Sequence, residues 1–305
     1  MSEPRLNYVQ CPDAGAGGVA SSVAGHRMAY WEWGDPASRH VVVCVHGLTR
    51  QGRDFDLLAQ ALAARAPHPI KVVCPDVVGR GMSDWLPDPL TYQLPSYVSD
   101  MVVLLQQLEA QTLDWVGTSM GGLIGMVLCG HSALHLPVPV RRLVLNDVGP
   151  VLQWDALQRI ASYLGTSMAF ESLEDAAAAM AVTYANFGPH TSAQWLQLCR
   201  AMVKPSATGT GVTLHYDPAI AAPLRALTPE GAAQAEMVMW QLFDAVKAKT
   251  LVVRGAQSDL LSAASALQMA QRGPKPAVIE FSGVGHAPTL VAADQIDVVA
   301  SFLLA

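Results

Sequence analysis

Short apolar runs alternate with stretches of helical spacing along most of this chain. Val41 to Val45 and Ile70 to Cys74 are apolar at nearly every position. Strand side chains point alternately to opposite faces, so such runs predict strands covered on both sides. Arg27 to Trp33 reads as an earlier strand, and Phe55 to Arg65 has helical spacing. Tyr97 to Leu108 predicts an amphipathic helix with Val98, Met101, Val102, Leu105 and Leu108 on one side. A strand follows at Leu113 to Val116, a helix through Leu123 to Cys129, and a strand at Arg142 to Leu145. The rhythm returns later, with strands at Thr250 to Val253 and Ala277 to Phe281 and helices at Ala264 to Gln271 and Gln295 to Leu304. This alternation predicts an α/β fold with a mostly parallel central sheet flanked by helices.

Between these two halves, residues 149–235 lack any buried-strand run. They are rich in Ala, Leu, Met and Trp, with helical periodicity near Leu157 to Leu164 and Asp175 to Tyr184, and Lys204 to Gly211 reads as loop. The expectation is a helical lid at 149–235, inserted into a core made of 1–148 and 236–305.

The 305 residues are 51% apolar and 14% charged, enough for a full core and too apolar for disorder. The net charge of -6, with no run of like charges, argues against nucleic acid or an anionic membrane surface as a partner. Trp115 to Val140 carries no Asp, Glu, Lys or Arg, and Gly121 and Gly125 form a G-x-x-x-G. The stretch also holds Ser119, His131, His135, Pro137 and Pro139, so a helix buried inside a soluble core explains it better than a membrane span. Five cysteines are scattered without metal-ligand spacing, and Cys44, Cys74 and Cys129 lie in apolar runs as buried thiols would. His131 and His135 are four apart without an H-E-x-x-H pattern, so no metal is expected. The first residues, Met1 to Arg5, do not read as a secretory signal, and a cytoplasmic location is expected.

The candidate chemistry centres on Gly117-Thr118-Ser119-Met120-Gly121-Gly122. It lies between a strand and a helix, with Ser119 at the apex. Gly117 and Gly121 carry no Cβ, so strand and helix can crowd a turn that presents the hydroxyl. A serine becomes nucleophilic only with a base in reach and a carboxylate that orients the base. The expected chain order is Ser, acid, His, each at the carboxyl end of a strand. Asp259 follows the strand at Thr250 to Val253 and is the favoured acid. Asp147, after the strand at Arg142 to Leu145, is its rival, with a cap or lid-hinge contact as its plainer role. His286 follows Gly283 and Gly285, which let its loop reach back over the sheet. The oxyanion donors are expected from the backbone N–H groups of Met120 and of Leu48, in His46-Gly47-Leu48-Thr49-Arg50. His46 is expected to organise that loop rather than to catalyse.

Together, His46-Gly47, the segment Asp76 to Asp84, the Gly117 to Gly122 elbow, Asp259 and Gly285-His286 resemble the α/β-hydrolase superfamily. The resemblance covers most of the chain outside the lid. It implies an α/β-hydrolase fold with the triad Ser119, Asp259 and His286, an acyl-enzyme and no cofactor. A serine nucleophile sets the chain apart from the dehalogenases and epoxide hydrolases of the fold. Ala287-Pro288-Thr289 after the histidine differs from the aromatic usual in the carbon–carbon hydrolases. The pattern is most similar to lidded bacterial carboxylesterases, some of them similar to enzymes acting on hydroxyalkanoate or polyester-type esters. The expected function is therefore a serine carboxylesterase with a small-molecule ester substrate. The alternatives are a carbon–carbon hydrolase of meta-cleavage type and a hydrolase-like ligand-binding protein.

Two further residues are candidates for binding substrate. Arg50 could face the pocket and hold a carboxylate, or brace the loop through Asp54 or Asp84. Gly47 lies beside it. The Asp76 to Asp84 segment is glycine-rich but lacks the Gly-Lys-Ser/Thr ending of a phosphate loop, and reads as a tight strand-end loop. Lid aromatics such as Trp154, Tyr163 and Tyr184 divide between lid core and pocket wall.

Overall fold

Val41, Val43 and Val45 pack into one hydrophobic cluster, while Val42 and Cys44 of the same strand pack into another. The near-continuous apolar runs thus form strands with a buried layer on either side. The computed structural model describes residues 3–12, 25–166, 168–207 and 209–305. In its first half, strands β1 (Arg5–Cys11), β2 (His26–Gly34) and β3 (His40–Val45) precede helix α1 (Asp56–Arg65). Then come β4 (Lys71–Pro75), α2 (Leu94–Gln107), β5 (Thr112–Thr118), α3 (Met120–Gly130) and β6 (Val140–Asn146).

The inserted segment holds α4 (Trp154–Tyr163), β7 (Ala169–Phe170), α5 (Leu173–Thr183), α6 (Ser192–Arg200), β8 (Val203–Pro205), β9 (Val212–Leu214) and α7 (Ala221–Arg225). It leads into α8 (Pro229–Ala245), β10 (Lys249–Gly255), α9 (Ala263–Gln271), β11 (Ala277–Phe281) and α10 (Ala293–Leu304). Side-chain caps start several of these helices: Ser172 accepts from the Asp175 N–H, Thr228 from Gly231 and Ser262 from Ser265.

Eight strands form one sheet in the order β1-β2-β4-β3-β5-β6-β10-β11. β2 pairs antiparallel with β1 and β4, and every other pairing in this sheet is parallel. Buried residues of α2, α3, α8 and α9 join the cluster on one face, and those of α1 and α10 the cluster on the other. The charge-free stretch from Trp115 to Val140 is largely β5, α3 and the start of β6, and most of α3 is buried. Among the described residues, no helix is long and apolar enough to cross a membrane.

Two details depart from the sequence reading. The inserted segment is not helical throughout, because β7, β9 and β8 form a small antiparallel sheet that takes in Lys204 and Pro205, expected as loop. Strands of two or three residues bury no run long enough to leave a periodic signature. The expected boundary at 235/236 falls inside α8, whose Met239, Trp240 and Phe243 belong to the main core.

Candidate active site

Ser119 stands between β5 and α3 with φ +51°, a left-handed value that non-glycine residues seldom adopt. The turn is closed by close packing. A Cβ on Gly121 would collide with the Val45 backbone, and one on Gly117 with the Gly121 backbone. The Trp115 indole N–H donates to the Gly121 carbonyl at 3.0 Å, and the Ser119 N–H to the Asn146 carbonyl at 3.0 Å. The serine is therefore held outward by backbone on three sides.

His286 meets it from the loop after β11. Its Nε2 lies 3.0 Å from Ser119 Oγ. Its Nδ1 lies 2.7 Å from Oδ2 of Asp147, not of Asp259. An ionised carboxylate only accepts, so this contact puts the proton on Nδ1 and leaves Nε2 free to accept from the serine. The rival acid is the one that reaches the histidine. Asp147 is fully buried at the end of β6, with φ +57°. Its Oδ1 accepts from the Gly255 N–H at 2.9 Å and its Oδ2 from the Ser258 hydroxyl at 2.6 Å.

The loop after β10 thus supplies donors to Asp147 and not the carboxylate that meets His286. Asp259, one residue beyond Ser258, faces outward. It is 43% exposed and pairs with Arg159 of α4 at 2.7 Å. The physical reason is the geometry of one turn: Ser258 and the Gly255 N–H point inward, which leaves the next side chain on the solvent side.

The loop after β3 approaches from the opposite side. A Cβ on Gly47 would sit 3.6 Å from the Ser119 Cβ and 3.9 Å from the Arg50 Cγ. Gly47 therefore separates the nucleophile from Arg50. His46 is wholly buried; its Nδ1 donates to the Gly47 carbonyl at 2.7 Å and its Nε2 accepts from the Val77 N–H at 2.9 Å. Burial depresses its pKa to about 3, so it is neutral and both ring nitrogens are already engaged. Its loop-organising role follows from those contacts.

Sequence reasoning passed over two residues that fix this loop. Arg80 is fully buried; its Nε donates to the Leu48 carbonyl at 2.8 Å, and its Nη1 to the Val78 carbonyl and the Tyr97 hydroxyl. Its Nη2 lies 3.8 Å from the Met120 sulfur, so one guanidinium touches both expected oxyanion residues. Asp76 accepts from the Gly52 and Met82 N–H groups at 2.8 and 2.9 Å and from the Trp31 indole at 3.2 Å. Burial raises its carboxyl to about 6. The signal was present in Asp76 to Asp84, as the charges of Asp76 and Arg80 just after a buried strand, but the segment reads equally well as a plain turn.

A cavity of about 90 Å³ opens between these groups, with Gly47, Arg50, Ser119 and His286 on its core side and Arg159, Tyr163, Tyr184 and Phe187 on the side of the insertion. It has room for about three water-sized groups. Arg50 makes the bracing contact expected of it: its Nε and Nη2 donate to the two Asp54 oxygens at 2.6 and 2.7 Å. Asp84, the other candidate partner, pairs with Arg27. Of the aromatics expected in a lid, Tyr163 and Tyr184 reach the cavity wall, whereas Trp154 packs beside Leu157 and Leu260.

Comparison with known proteins gives the family. Residues 40–293 match the family model of the alpha/beta hydrolase fold. The chain belongs to the α/β-hydrolase family, as its motifs led one to expect. It is 48% identical over 304 residues to the 3-hydroxybutyrate-oligomer hydrolase of Cupriavidus necator, covering 99% of this chain and 98% of that one. A solved alpha/beta hydrolase from Novosphingobium aromaticivorans superposes with a TM-score of 0.83 at 34% identity, over 99% of both chains. A putative hydrolase from Rickettsia typhi gives 0.84 at 26% identity, over 98% of both. This chain is a hydrolase on that fold.

Proposed function

We propose that the chain is a serine hydrolase that cleaves the ester bonds of short hydroxyalkanoate oligomers. The carrying observation is the unbroken line from Asp147 through His286 to Ser119, at 2.7 and 3.0 Å, opening on a cavity. The full-length likeness to the Cupriavidus necator enzyme supports the substrate class.

In this reading Ser119 Oγ attacks the ester carbonyl while its proton passes to His286 Nε2. Asp147 holds Nδ1–H and stabilises the imidazolium that forms. The carbonyl oxygen becomes an oxyanion beside the N–H groups of Met120, at the first turn of α3, and Leu48. The ester C–O bond then breaks, and His286 returns the proton to the leaving alkoxide. Water repeats the sequence on the acyl-enzyme and frees the acid. Residues 149–235 act as the lid over this centre, with the Arg159–Asp259 pair as one of its ties to the core.

All five cysteines are unpaired, which supports a reducing, cytoplasmic setting. The test is hydrolysis of 3-hydroxybutyrate dimers and trimers by purified protein. The Ser119→Ala variant should lose about 10⁶-fold in kcat. A variant that kept its activity would remove the mechanism.

A further inference from the structure

The cavity wall holds an incomplete arginine. Arg50 is 7% exposed. Two of its nitrogens are spent on Asp54, and Nη2 also reaches the Leu198 carbonyl at 3.3 Å. Its Nη1 is buried and has no partner among the described residues. Burial opposes the charge of this group, yet Asp54 keeps it a cation. The guanidinium also stands 6.0 Å from the centre of the Phe187 ring, which comes from the far side of the same cavity.

A buried charged donor left unsatisfied costs about 1–3 kcal/mol or more, so it persists where something else completes it. The missing partner is an acceptor, and an anionic one matches the cation best. Gly47 sets the place. With no side chain there, the Ser119 Cβ and the Arg50 Cγ flank the same glycine, and both residues line the cavity.

We infer that Arg50 Nη1 receives the free carboxylate of the substrate, so that the enzyme shortens oligomers one unit at a time from the carboxyl end. The inference rests on the oligomer reading above. A hydroxyalkanoate oligomer ends in a hydroxyl on one side and a carboxylate on the other. In its last ester, acyl–CO–O–CH(R)–CH₂–COO⁻, the carboxylate sits on the alcohol side, four bonds from the carbonyl carbon that Ser119 attacks. Anchored there, it brings the terminal ester to the serine. The C–O bond breaks on the side of Arg50, His286 protonates the departing hydroxyacid, and the rest of the chain stays on Ser119 until water releases it. Asp54 holds the guanidinium in place and leaves Nη1 for the ligand.

The test uses the intact enzyme with the 3-hydroxybutyrate dimer as free acid and as methyl ester. The free acid should be preferred at least tenfold in kcat/KM, mostly through KM. A trimer labelled with ¹³C in its carboxyl-terminal unit should release labelled monomer first. Arg50→Gln should raise KM for the free acid and level the two dimers. Equal kcat/KM for the two dimers in the wild type, unlabelled monomer first, or a variant that keeps the preference would each overturn the assignment alone. Because Arg50→Gln leaves Asp54 buried without its partner and can fail to fold, the two wild-type measurements decide without it. If neither dimer is cleaved while a nitrophenyl butyrate is, the oligomer reading falls and takes this one with it.

Discussion

Two loops leave the same edge of the sheet side by side, one after β6 and one after β10. Each carries an aspartate just past its strand, and the two have opposite fates. Asp147 is fully buried and holds three hydrogen bonds through its carboxylate, one of them to the histidine. Asp259 is partly exposed and pairs with Arg159 of α4, itself 41% exposed. The Asp147 N–H donates to the Val253 carbonyl at 2.7 Å, so the two loops are locked together. Their difference is one of direction: the first points its carboxylate between the strands, and the second points Ser258 there instead. An aspartate at a strand end names a candidate, and burial decides between candidates.

That contrast can be broken most directly at Asp147. The Asp147→Asn variant should lose about 10³–10⁴-fold in kcat, because an amide in place of the carboxylate disturbs the tautomer of His286. Steady-state kinetics on a hydroxybutyrate dimer measures this. A loss below about tenfold would return the role of acid to another residue.

Two buried strand-end groups, His46 and Asp76, give a parallel contrast. His46 has a pKa held at about 3 when folded, against about 6.5 when unfolded. The unfolded chain therefore binds the extra proton first as pH falls from about 6.5 toward 3. His46 adds a loss of stability in that window, at up to about 1.4 kcal/mol per pH unit. Asp76, raised to about 6, acts with the opposite sign between about 3.8 and 6, where the folded state holds the extra proton. Denaturant melts of wild type and His46→Gln from pH 4 to 8 separate the two. The variant should lack the acid loss due to His46, and an unchanged acid slope would contradict a neutral His46.

A smaller effect is expected at the donor that the β10 loop lends to the acid. Ser258→Ala removes one hydrogen bond from Asp147 and should lower kcat by about tenfold, worth about 1.4 kcal/mol. The smallest belongs to Asp259 itself. Asp259→Asn breaks an exposed pair worth about 0–1 kcal/mol, so kcat should stay within about threefold of wild type. A collapse of kcat in this variant, with the protein still folded, would reverse the comparison.

Much of this was legible from residues alone. The buried strands, the elbow and His286 were read from local pattern, and each lies where that pattern predicts. β1 was missed because its alternation breaks at Tyr8-Val9 and, at the edge of the sheet, it buries little, and β7, β8 and β9 because they are too short. Arg80 was missed because its partners, the Leu48 carbonyl and the Met120 sulfur, are dozens of residues away.

The sequence by itself determined the sheet, the outward-facing serine and the histidine that follows the last strand. These depend on short-range physics: a strand apolar at every position must be buried on both faces, and a turn whose Cβ atoms would strike backbone must be glycine. Only the tertiary structure decided which aspartate completes the line and which nitrogen of Arg50 is left without a partner. Both depend on how loops from non-consecutive strands lean against one another once the sheet has formed, and no local spacing records that angle.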